Sequence, residues 1–282
     1  MRLPREVAVI GAGTMGAGIA RVFAEAGPSV RLMARRASSL EQAREWLGDA
    51  QILLTTSLDE ALEGADFVLE TIVEDASAKR DVLARAEQLA PEAILATNTS
   101  SLPLAPLAEG LQRPERFAGL HWINPPELIE LVEVVAGSET SEETVETLAG
   151  WTEALGKVPV VVRRDTPGFI VNRLQYALLR EAYALVDAGV CTFEDVDRAI
   201  THSLGPRWAA IGPFETMDLA GLDVHTAVAA NLWPELSNTT EPSPSLEAAR
   251  ERGALRGDAP LETLKARRDR VLRGLQALRE DG

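Results

Sequence analysis

Short apolar runs alternate with helical patterns over the first 164 residues of the chain. The runs are rich in valine, isoleucine and leucine, and they predict strands near 6–10, 29–34, 51–55, 67–72, 93–97, 116–121, 131–135 and 158–163. Strands that alternate with helices are typical of a parallel sheet with helices on both faces. The pattern therefore predicts an α/β domain, a doubly wound parallel sheet, over residues 1–164.

The pattern changes at Asp165-Thr166-Pro167-Gly168, a turn signal that marks the predicted domain boundary. Apolar residues then recur at i, i+3 and i+4, beginning with Leu174, Ala177 and Leu178, and this spacing predicts helices. Residues 236–244 are rich in Ser, Thr and Pro and predict a loop, and residues 261–280 predict a closing helix with a basic face. We expect an all-helical second domain over 165–282.

Residues 6–20 join a short apolar strand, a G-x-G-x-x-G turn and the start of a helix. Gly11 permits the tight turn, Gly13 lets a pyrophosphate approach the backbone, and Gly16 lets the helix pack closely on the strand. The helix start at Thr14 and Met15 offers unpaired amide groups and the positive end of the helix dipole to phosphates. A Rossmann-type dinucleotide site is predicted, and a plain glycine-rich turn is the alternative.

Composition narrows the possible partners of this 282-residue chain. The formal net charge of -15 argues against nucleic acid or an anionic membrane as partner. The apolar runs stay well below the ~18 residues of a membrane span, and the first strand leaves no room for a signal peptide. With one cysteine, Cys191, and no Cys/His cluster, we expect no disulfide, no metal and a cytoplasmic location.

His121 and Glu133 are candidates for a catalytic pair. His121 ends a predicted strand, where open parallel sheets place ligands, and Glu133 lies inside the apolar run 131–135. A buried carboxylate needs a partner, and beside an imidazole it fixes the tautomer and raises the basicity. Because spacing does not prove contact, a core histidine beside an unrelated edge-strand glutamate remains the alternative.

Two further polar groups follow apolar segments. The run Thr97-Asn98-Thr99-Ser100-Ser101 ends a predicted strand, and its hydroxyls either hydrogen-bond a substrate oxygen or cap the next helix. Asn172 interrupts the apolar stretch 168–174, so its amide needs a hydrogen bond from the backbone or from a ligand.

Together these residues resemble the L-3-hydroxyacyl-CoA dehydrogenase family. The matching blocks are 9–20, 98–102, 119–125, 131–135 and 165–174, and the likeness extends from residue 6 to about residue 225 in the family's order. It implies an oxidoreductase that passes a hydride between a nicotinamide cofactor and C3 of an L-3-hydroxy acid or its CoA ester. The family also implies a homodimer formed through the helical domain.

The resemblance implies a role for each candidate. His121 would be the general base for the 3-hydroxyl, and Glu133 would hold it. Ser100 would hydrogen-bond the reacting oxygen, while Asn172 would orient the substrate and Asn124 would lie close by. Asn98 and the residues of the glycine turn would bind the cofactor.

In the second half, the runs 172–178 and 204–219 look most like the lambda-crystallin / L-gulonate 3-dehydrogenase branch, with carnitine dehydrogenases as near relatives. Such branches act on free hydroxy acids. Family members usually carry a long helical hairpin that clasps CoA after the second strand, whereas residues 37–50 predict one short helix here. A small free acid is therefore the favoured substrate, and a CoA ester held in another way remains open.

The end of the second predicted strand departs from the family pattern. Family members usually have an aspartate there for the ribose hydroxyls, but this chain has Arg35 and Arg36. Two guanidinium groups suit a 2′-phosphate, so we expect NADP to be preferred over NAD. Two solvated loop arginines are the alternative.

Two rival functions stay open at this point. One is a catalytically silent, crystallin-like protein that binds the cofactor, although retention of Ser100, His121, Glu133 and Asn172 argues against it. The other is an imine- or amine-forming reductase, in which His121 would be the acid that protonates nitrogen.

Overall fold

The computed structural model describes residues 1–256 and 260–280, and it divides into two compact units, Met1–Arg173 and Leu174–Gly282. The strands are β1 (Glu6–Ile10), β2 (Ser29–Met33), β3 (Ile52–Thr55), β4 (Phe67–Glu70), β5 (Ile94–Thr97), β6 (Phe117–Trp122), β7 (Leu131–Val135) and β8 (Val158–Val162). The helices among them are α1 (Thr14–Glu25), α2 (Ala37–Leu47), α3 (Leu58–Leu62), α4 (Ala76–Leu89), α5 (Leu104–Ala108) and α6 (Glu142–Ala154), with a 3₁₀ turn at Pro114–Arg116.

Only helices and loops occur in the described part of the chain after β8. They are α7 (Val171–Asp187), α8 (Phe193–Ala199), α9 (Gly205–Ala210), α10 (Pro213–Ala220), α11 (Leu222–Leu232), α12 (Pro244–Arg252) and α13 (Leu261–Glu280), with a π-helical turn at Ile200–Leu204 and a 3₁₀ turn at Trp233–Glu235. None of the helices described combines the length and the apolarity needed to cross a bilayer. The α/β fold followed by an all-helical region is thus confirmed.

The position of the domain boundary stays a prediction. The turn at 165–168 precedes α7, whereas the division between the two compact units falls inside that helix, after Arg173.

All eight strands form one sheet in the order β3-β2-β1-β4-β5-β6-β7-β8. Strands β1 to β6 are parallel. Strand β7 runs antiparallel to β6, and β8 runs parallel to β7. An entirely parallel sheet was therefore the wrong expectation for the last two strands. Residues 123–130 join β6 to β7 without a crossover helix, and a parallel pair needs such a crossover.

The core of the first unit lies on both faces of this sheet. Val9 and Phe67 belong to one buried apolar cluster, and their neighbours Ile10 and Val68 belong to the other. Successive side chains of a strand point to opposite faces, so a strand covered on both sides must be apolar throughout. This burial explains why the apolar runs predicted the strand positions well.

Candidate active site

His121 on β6 and Glu133 on β7 lie directly opposite each other in the antiparallel register, and both are buried. Nδ1 of His121 lies 2.7 Å from Oε2 of Glu133. The other ring nitrogen, Nε2, lies 3.1 Å from Oγ of Ser100. The structure thus brings His121, Glu133 and Ser100 together, so the alternative of two unrelated residues is wrong.

Glu133 is held by three donors. Its Oε1 accepts hydrogen bonds from the backbone N–H groups of Ile170 at 2.8 Å and Val171 at 3.0 Å, at the start of α7. Burial raises the pKa of Glu133, but the hydrogen bonds from His121 and from the two amides outweigh burial and hold this pKa below its ordinary value. An ionised Glu133 selects the tautomer with a proton on Nδ1, so the lone pair on Nε2 faces Ser100.

The loop that carries Ser100 is held by Glu74, a residue that the sequence analysis did not single out. Oε1 of Glu74 accepts hydrogen bonds from the Thr99 hydroxyl at 2.6 Å, the Ser100 N–H at 3.0 Å and the Ser101 N–H at 3.1 Å. Partial burial raises the pKa of Glu74, but the Thr99 hydroxyl, the nearby Lys79 charge and the serine donors outweigh it and hold this pKa below its ordinary value. The ionised side chain of Glu74 therefore fixes the loop 97–101, which we call the serine loop.

Glu74 lies beside a buried ion pair between Lys79 and Glu70. Nζ of Lys79 lies 2.8 Å from Oε1 of Glu70, and both side chains are buried. Lys79 also lies 3.4 Å from Glu74, and the Thr97 hydroxyl donates to Glu70 at 2.6 Å. Glu70 ends the apolar strand β4, so it is, like Glu133, a carboxylate in an apolar run whose need for a partner can be read from the sequence.

The alternative that side chains of the serine loop cap the next helix is wrong. Helix α5 has Pro103 at its N-cap and no side-chain cap from the run. Its first N–H, on Leu104, donates instead to Oδ2 of Asp165 at 2.6 Å. The run forms the wall of the site, and Asn98 closes one side of it by accepting the Trp122 N–H at 2.8 Å.

The glycine turn between β1 and α1 fits a dinucleotide. A Cβ added at Gly11, where φ is +118°, would lie 2.7 Å from the Thr71 carbonyl oxygen, and one at Gly16 would lie 1.8 Å from the Gly11 oxygen. Apart from its two neighbours along the chain, a Cβ at Gly13 would meet no atom of the described residues within 4 Å and would fill open space in front of the turn. Because the first turn of α1, at Thr14 and Met15, presents its amide groups there, a pyrophosphate can be held at this point.

A cavity of about 280 Å³ connects the glycine turn with the serine loop. It is lined by Met15, Thr71, Ile72, Glu74, Asn98, Ser100 and Ser101. Its walls therefore come from α1 and from the ends of β4 and β5, where doubly wound sheets bind their ligands.

Arg35 and Arg36 follow β2 and lie before α2, and both are exposed. Helix α2 is the single short helix that the sequence predicted between β2 and β3. Within the described residues neither guanidinium group forms an ion pair. Both arginines are thus available to a ligand at the end of the second strand.

Of the two remaining candidates, Asn172 contacts the loop that carries Ser100, whereas no contact among the described residues brings Asn124 to the site. Nδ2 of Asn172, in the first turn of α7, donates to the Ser100 carbonyl oxygen at 3.2 Å. Asn124 is exposed and precedes a cis proline, Pro125, in the connection from β6 to β7. Over the described residues, no group of three or more His, Cys, Asp and Glu side chains could hold a metal ion.

Two family models match the chain along most of its length. The 3-hydroxyacyl-CoA dehydrogenase NAD binding domain matches residues 6–52 and 49–166, and the 3-hydroxyacyl-CoA dehydrogenase C-terminal domain matches residues 168–262.

Individual relatives agree with these models. The 5-formyl-3-hydroxy-2-methylpyridine 4-carboxylate 5-dehydrogenase of Mesorhizobium japonicum is 38% identical over 258 residues, with 85% of this chain and 84% of the relative covered. The mitochondrial hydroxyacyl-coenzyme A dehydrogenase of Homo sapiens is also 38% identical, over 271 residues, with 86% and 85% covered.

Solved structures give the same result. A crystal structure of 5-formyl-3-hydroxy-2-methylpyridine 4-carboxylic acid 5-dehydrogenase, an NAD+-dependent dismutase, matches with a TM-score of 0.93, 34% identity and 98% coverage of both chains. The 3-hydroxyacyl-CoA dehydrogenase of Archaeoglobus fulgidus matches with a TM-score of 0.76, 35% identity and 97% coverage of both chains. The chain therefore belongs to the 3-hydroxyacyl-CoA dehydrogenase family of nicotinamide-dependent oxidoreductases.

Proposed function

We propose that the chain catalyses the reversible, NAD(P)-dependent oxidation of the C3 hydroxyl of an L-3-hydroxy acid or its CoA ester. The observation that carries this proposal is the placement of His121 between Glu133 and Ser100, at 2.7 Å and 3.1 Å. A base in this position has one nitrogen fixed by a carboxylate and the other turned towards a hydroxyl. Geometry of this kind suits proton abstraction from an alcohol.

In the oxidation, Nε2 of His121 takes the proton of the substrate hydroxyl. Ser100 hydrogen-bonds the reacting oxygen, which holds it within reach of Nε2. The imidazolium that forms is stabilised by Glu133, which is ionised and excluded from water. In the reverse direction the imidazolium returns the proton to the carbonyl oxygen. A bound nicotinamide supplies the hydride chemistry.

Asn172 and Asn124 are proposed to contact the substrate. The amide nitrogen of Asn172 holds the Ser100 carbonyl, and within the described residues its amide oxygen accepts no hydrogen bond. Asn172 can therefore fix the serine loop and accept a hydrogen bond from the substrate at once. Asn124 is exposed on the connection that follows the catalytic strand, so it is free to turn towards a ligand.

The substrate class that we favour is a small free acid. Between β2 and β3 the chain has only α2, and no helical hairpin that could clasp CoA. One of the relatives is named for a free pyridine carboxylate, not for a CoA ester. The sequence likeness to the lambda-crystallin / L-gulonate 3-dehydrogenase branch is a separate argument for a free acid.

NADP is proposed as the preferred cofactor, with NAD as the alternative, because Arg35 and Arg36 occupy the position that meets the adenosine ribose. We further propose a homodimer, since apolar side chains lie exposed on the helical unit. The cytoplasm is the proposed location, and the free thiol of Cys191 agrees with a reducing compartment.

A single set of assays tests the activity. The purified protein is given acetoacetyl-CoA or acetoacetate at matched concentrations, each with NADPH and with NADH. Activity on the free acid at a kcat/KM near or above that of the thioester is the expected result. A preference for the thioester of a hundredfold, about 2.7 kcal/mol of transition-state binding, would mean that CoA is recognised without the hairpin. Cofactor binding without turnover of either compound would support a silent, crystallin-like protein.

A further inference from the structure

The turn between β8 and α7 contains an unusual backbone conformation. Phe169 has φ of +50°, and in the described part of the chain it is the sole residue other than glycine with positive φ. This left-handed region crowds the Cβ of every residue except glycine, and the surrounding structure must hold a phenylalanine there. The side chain is only 2% exposed, so the residue is enclosed on all sides.

The backbone at Phe169 determines what the next two residues do. Its own N–H donates to the Thr166 carbonyl oxygen at 2.8 Å and closes the turn. The N–H groups of Ile170 and Val171 then point to the same atom, Oε1 of Glu133. A left-handed residue beside a helix start turns successive amides towards one anion, which is the arrangement found in backbone anion nests.

The side chain of Phe169 reaches the other member of the pair. Its ring centroid lies 5.4 Å from that of the His121 imidazole, with an angle of 60° between the ring planes. This tilted edge contact is a favourable geometry for two aromatic rings. The imidazole therefore has an aromatic contact in addition to its contacts with Glu133 and Ser100.

We infer that Phe169 is a positioning residue that acts on both members of the pair at once. Its ring fixes the plane of the His121 imidazole, and its left-handed backbone delivers the two amides that hold Glu133. This inference rests on the proposed function only for its effect on turnover, since the effect on the imidazole can be measured without substrate.

Two substitutions separate the ring from the backbone. Phe169→Gly removes the ring but accepts the positive φ, so the two amides still reach Glu133. Phe169→Leu keeps an apolar side chain of similar reach without an aromatic edge. We expect kcat to fall about 100-fold in the glycine variant and about 10-fold in the leucine variant, with KM unchanged, because a base misplaced by about 1 Å loses rate and not affinity. The primary deuterium isotope effect on kcat should rise as hydride transfer becomes limiting.

Phe67→Leu provides the matched control. Phe67 is as deeply buried as Phe169, and its aromatic partners are Phe23 and Trp151, away from the site. The control should lose thermal stability as Phe169→Leu does, while its kcat stays within twofold of the wild type. Equal losses of kcat in Phe169→Leu and Phe67→Leu would mean that Phe169 acts only through core packing, and they would overturn the inference.

Nitrogen-15 spectra of the imidazoles give a readout that needs no substrate. The chain has three histidines, His121, His202 and His225, so each ring can be assigned by substitution. We expect a single Nδ1–H tautomer for His121 in both proteins, with sharp ring resonances in the wild type and shifted or broadened ones in Phe169→Gly, because the plane of the imidazole is no longer fixed. An unchanged His121 spectrum together with an unchanged kcat would overturn the inference. If the wild type turns over no hydroxy acid, the proposed function fails, and the spectrum alone then decides the role of Phe169.

Discussion

The two compact units bury their apolar side chains to very different extents. In the first unit, buried clusters cover both faces of the sheet. In the described part of the second unit, the buried apolar side chains are Ala229 and Ala249. Large apolar side chains there lie open instead, and Phe214 is 84% exposed. The first unit thus encloses most of its apolar side chains in these clusters, whereas the second leaves apolar surface of the kind that interfaces cover.

One helix of the second unit shows this most clearly. Val224, Val228 and Leu232 are exposed on α11 at i, i+4 and i+8, so they form one apolar stripe along the helix. A second copy of the chain would cover such a stripe symmetrically, as in most homodimers. The difference between the units therefore suggests a division of labour, with chemistry in the first and association in the second.

Removal of the base, His121, should have the largest effect on turnover, and this effect should be confined to the first unit. In His121→Asn the new amide nitrogen takes the place of Nδ1, so Glu133 keeps its hydrogen bond while Nε2 is lost. We expect kcat to fall about 10³-fold, within the range for a general base. Cofactor binding and the sedimentation coefficient should not change. Turnover within tenfold of the wild type would show that another group takes the proton.

A charge on the apolar stripe of α11 should have the next largest effect, and it should weaken the dimer that we propose to form through the second unit. Val228→Asp places a carboxylate in the proposed interface, where it would be desolvated without a partner. We expect the dimer dissociation constant to rise about 30-fold or more, which is the loss of about 2 kcal/mol typical of an interface hot spot. Analytical ultracentrifugation over a range of concentrations measures it.

Val158→Asp is the matched control for this experiment. Val158 lies on the edge strand β8 and is 52% exposed, the same fraction as Val228. A charge on an exposed edge strand is well tolerated, so the control should remain dimeric. Dissociation of both variants to the same degree would remove the distinction between the units, and a monomeric wild type would remove the dimer itself.

The sequence predicted the first unit better than it predicted the contacts within the site. The apolar runs placed strands such as β1 and β7 at their observed bounds because these strands are buried on both faces. The same pattern does not encode strand direction, so the reversal of β7 was missed. Direction follows from the connection 123–130, which has no crossover helix.

Within the site, the sequence predicted a functional residue where a polar group stands in an apolar run and so requires a partner. A carboxylate in an apolar run needs a partner, and both Glu133 and Glu70 are carboxylates of this kind. Glu74 lies in a polar connection, and its hold on the serine loop depends on how β4 and β5 end side by side. The positive φ of Phe169 had no signal, since phenylalanine normally avoids this conformation.

The proposed preference for NADP is tested at two exposed residues of the first unit, Arg35 and Arg36, where we expect a smaller effect. In Arg35→Ala/Arg36→Ala, we expect kcat/KM with NADPH to fall about 10- to 100-fold, as for the loss of one or two charge-assisted hydrogen bonds. The value with NADH should stay unchanged. Arg44→Ala, at an exposed arginine of α2, is the control. A fall of equal size with both cofactors would mean that the pair does not read the 2′-phosphate.

The smallest effect concerns the dependence of stability on pH. The folded pKa of Glu133 is lowered, so its stabilising contribution is fully present above the unfolded value near 4.5 and is lost as pH falls through the folded pKa. Asp195 in the second unit also has a lowered pKa, caused mainly by the Thr192 hydroxyl, but its carboxylate is exposed to solvent.

Urea unfolding of the wild type, Glu133→Gln and Asp195→Asn between pH 7 and pH 3 measures both contributions. We expect the destabilisation by Glu133→Gln to shrink below pH 4.5 and to persist in 0.5 M salt, because buried charges are screened little. The effect of Asp195→Asn should be small and should fade with salt, as for other exposed groups. Because the first unit holds its charge inside a packed core and the second holds its charge in water, equal salt sensitivity would contradict the contrast between them.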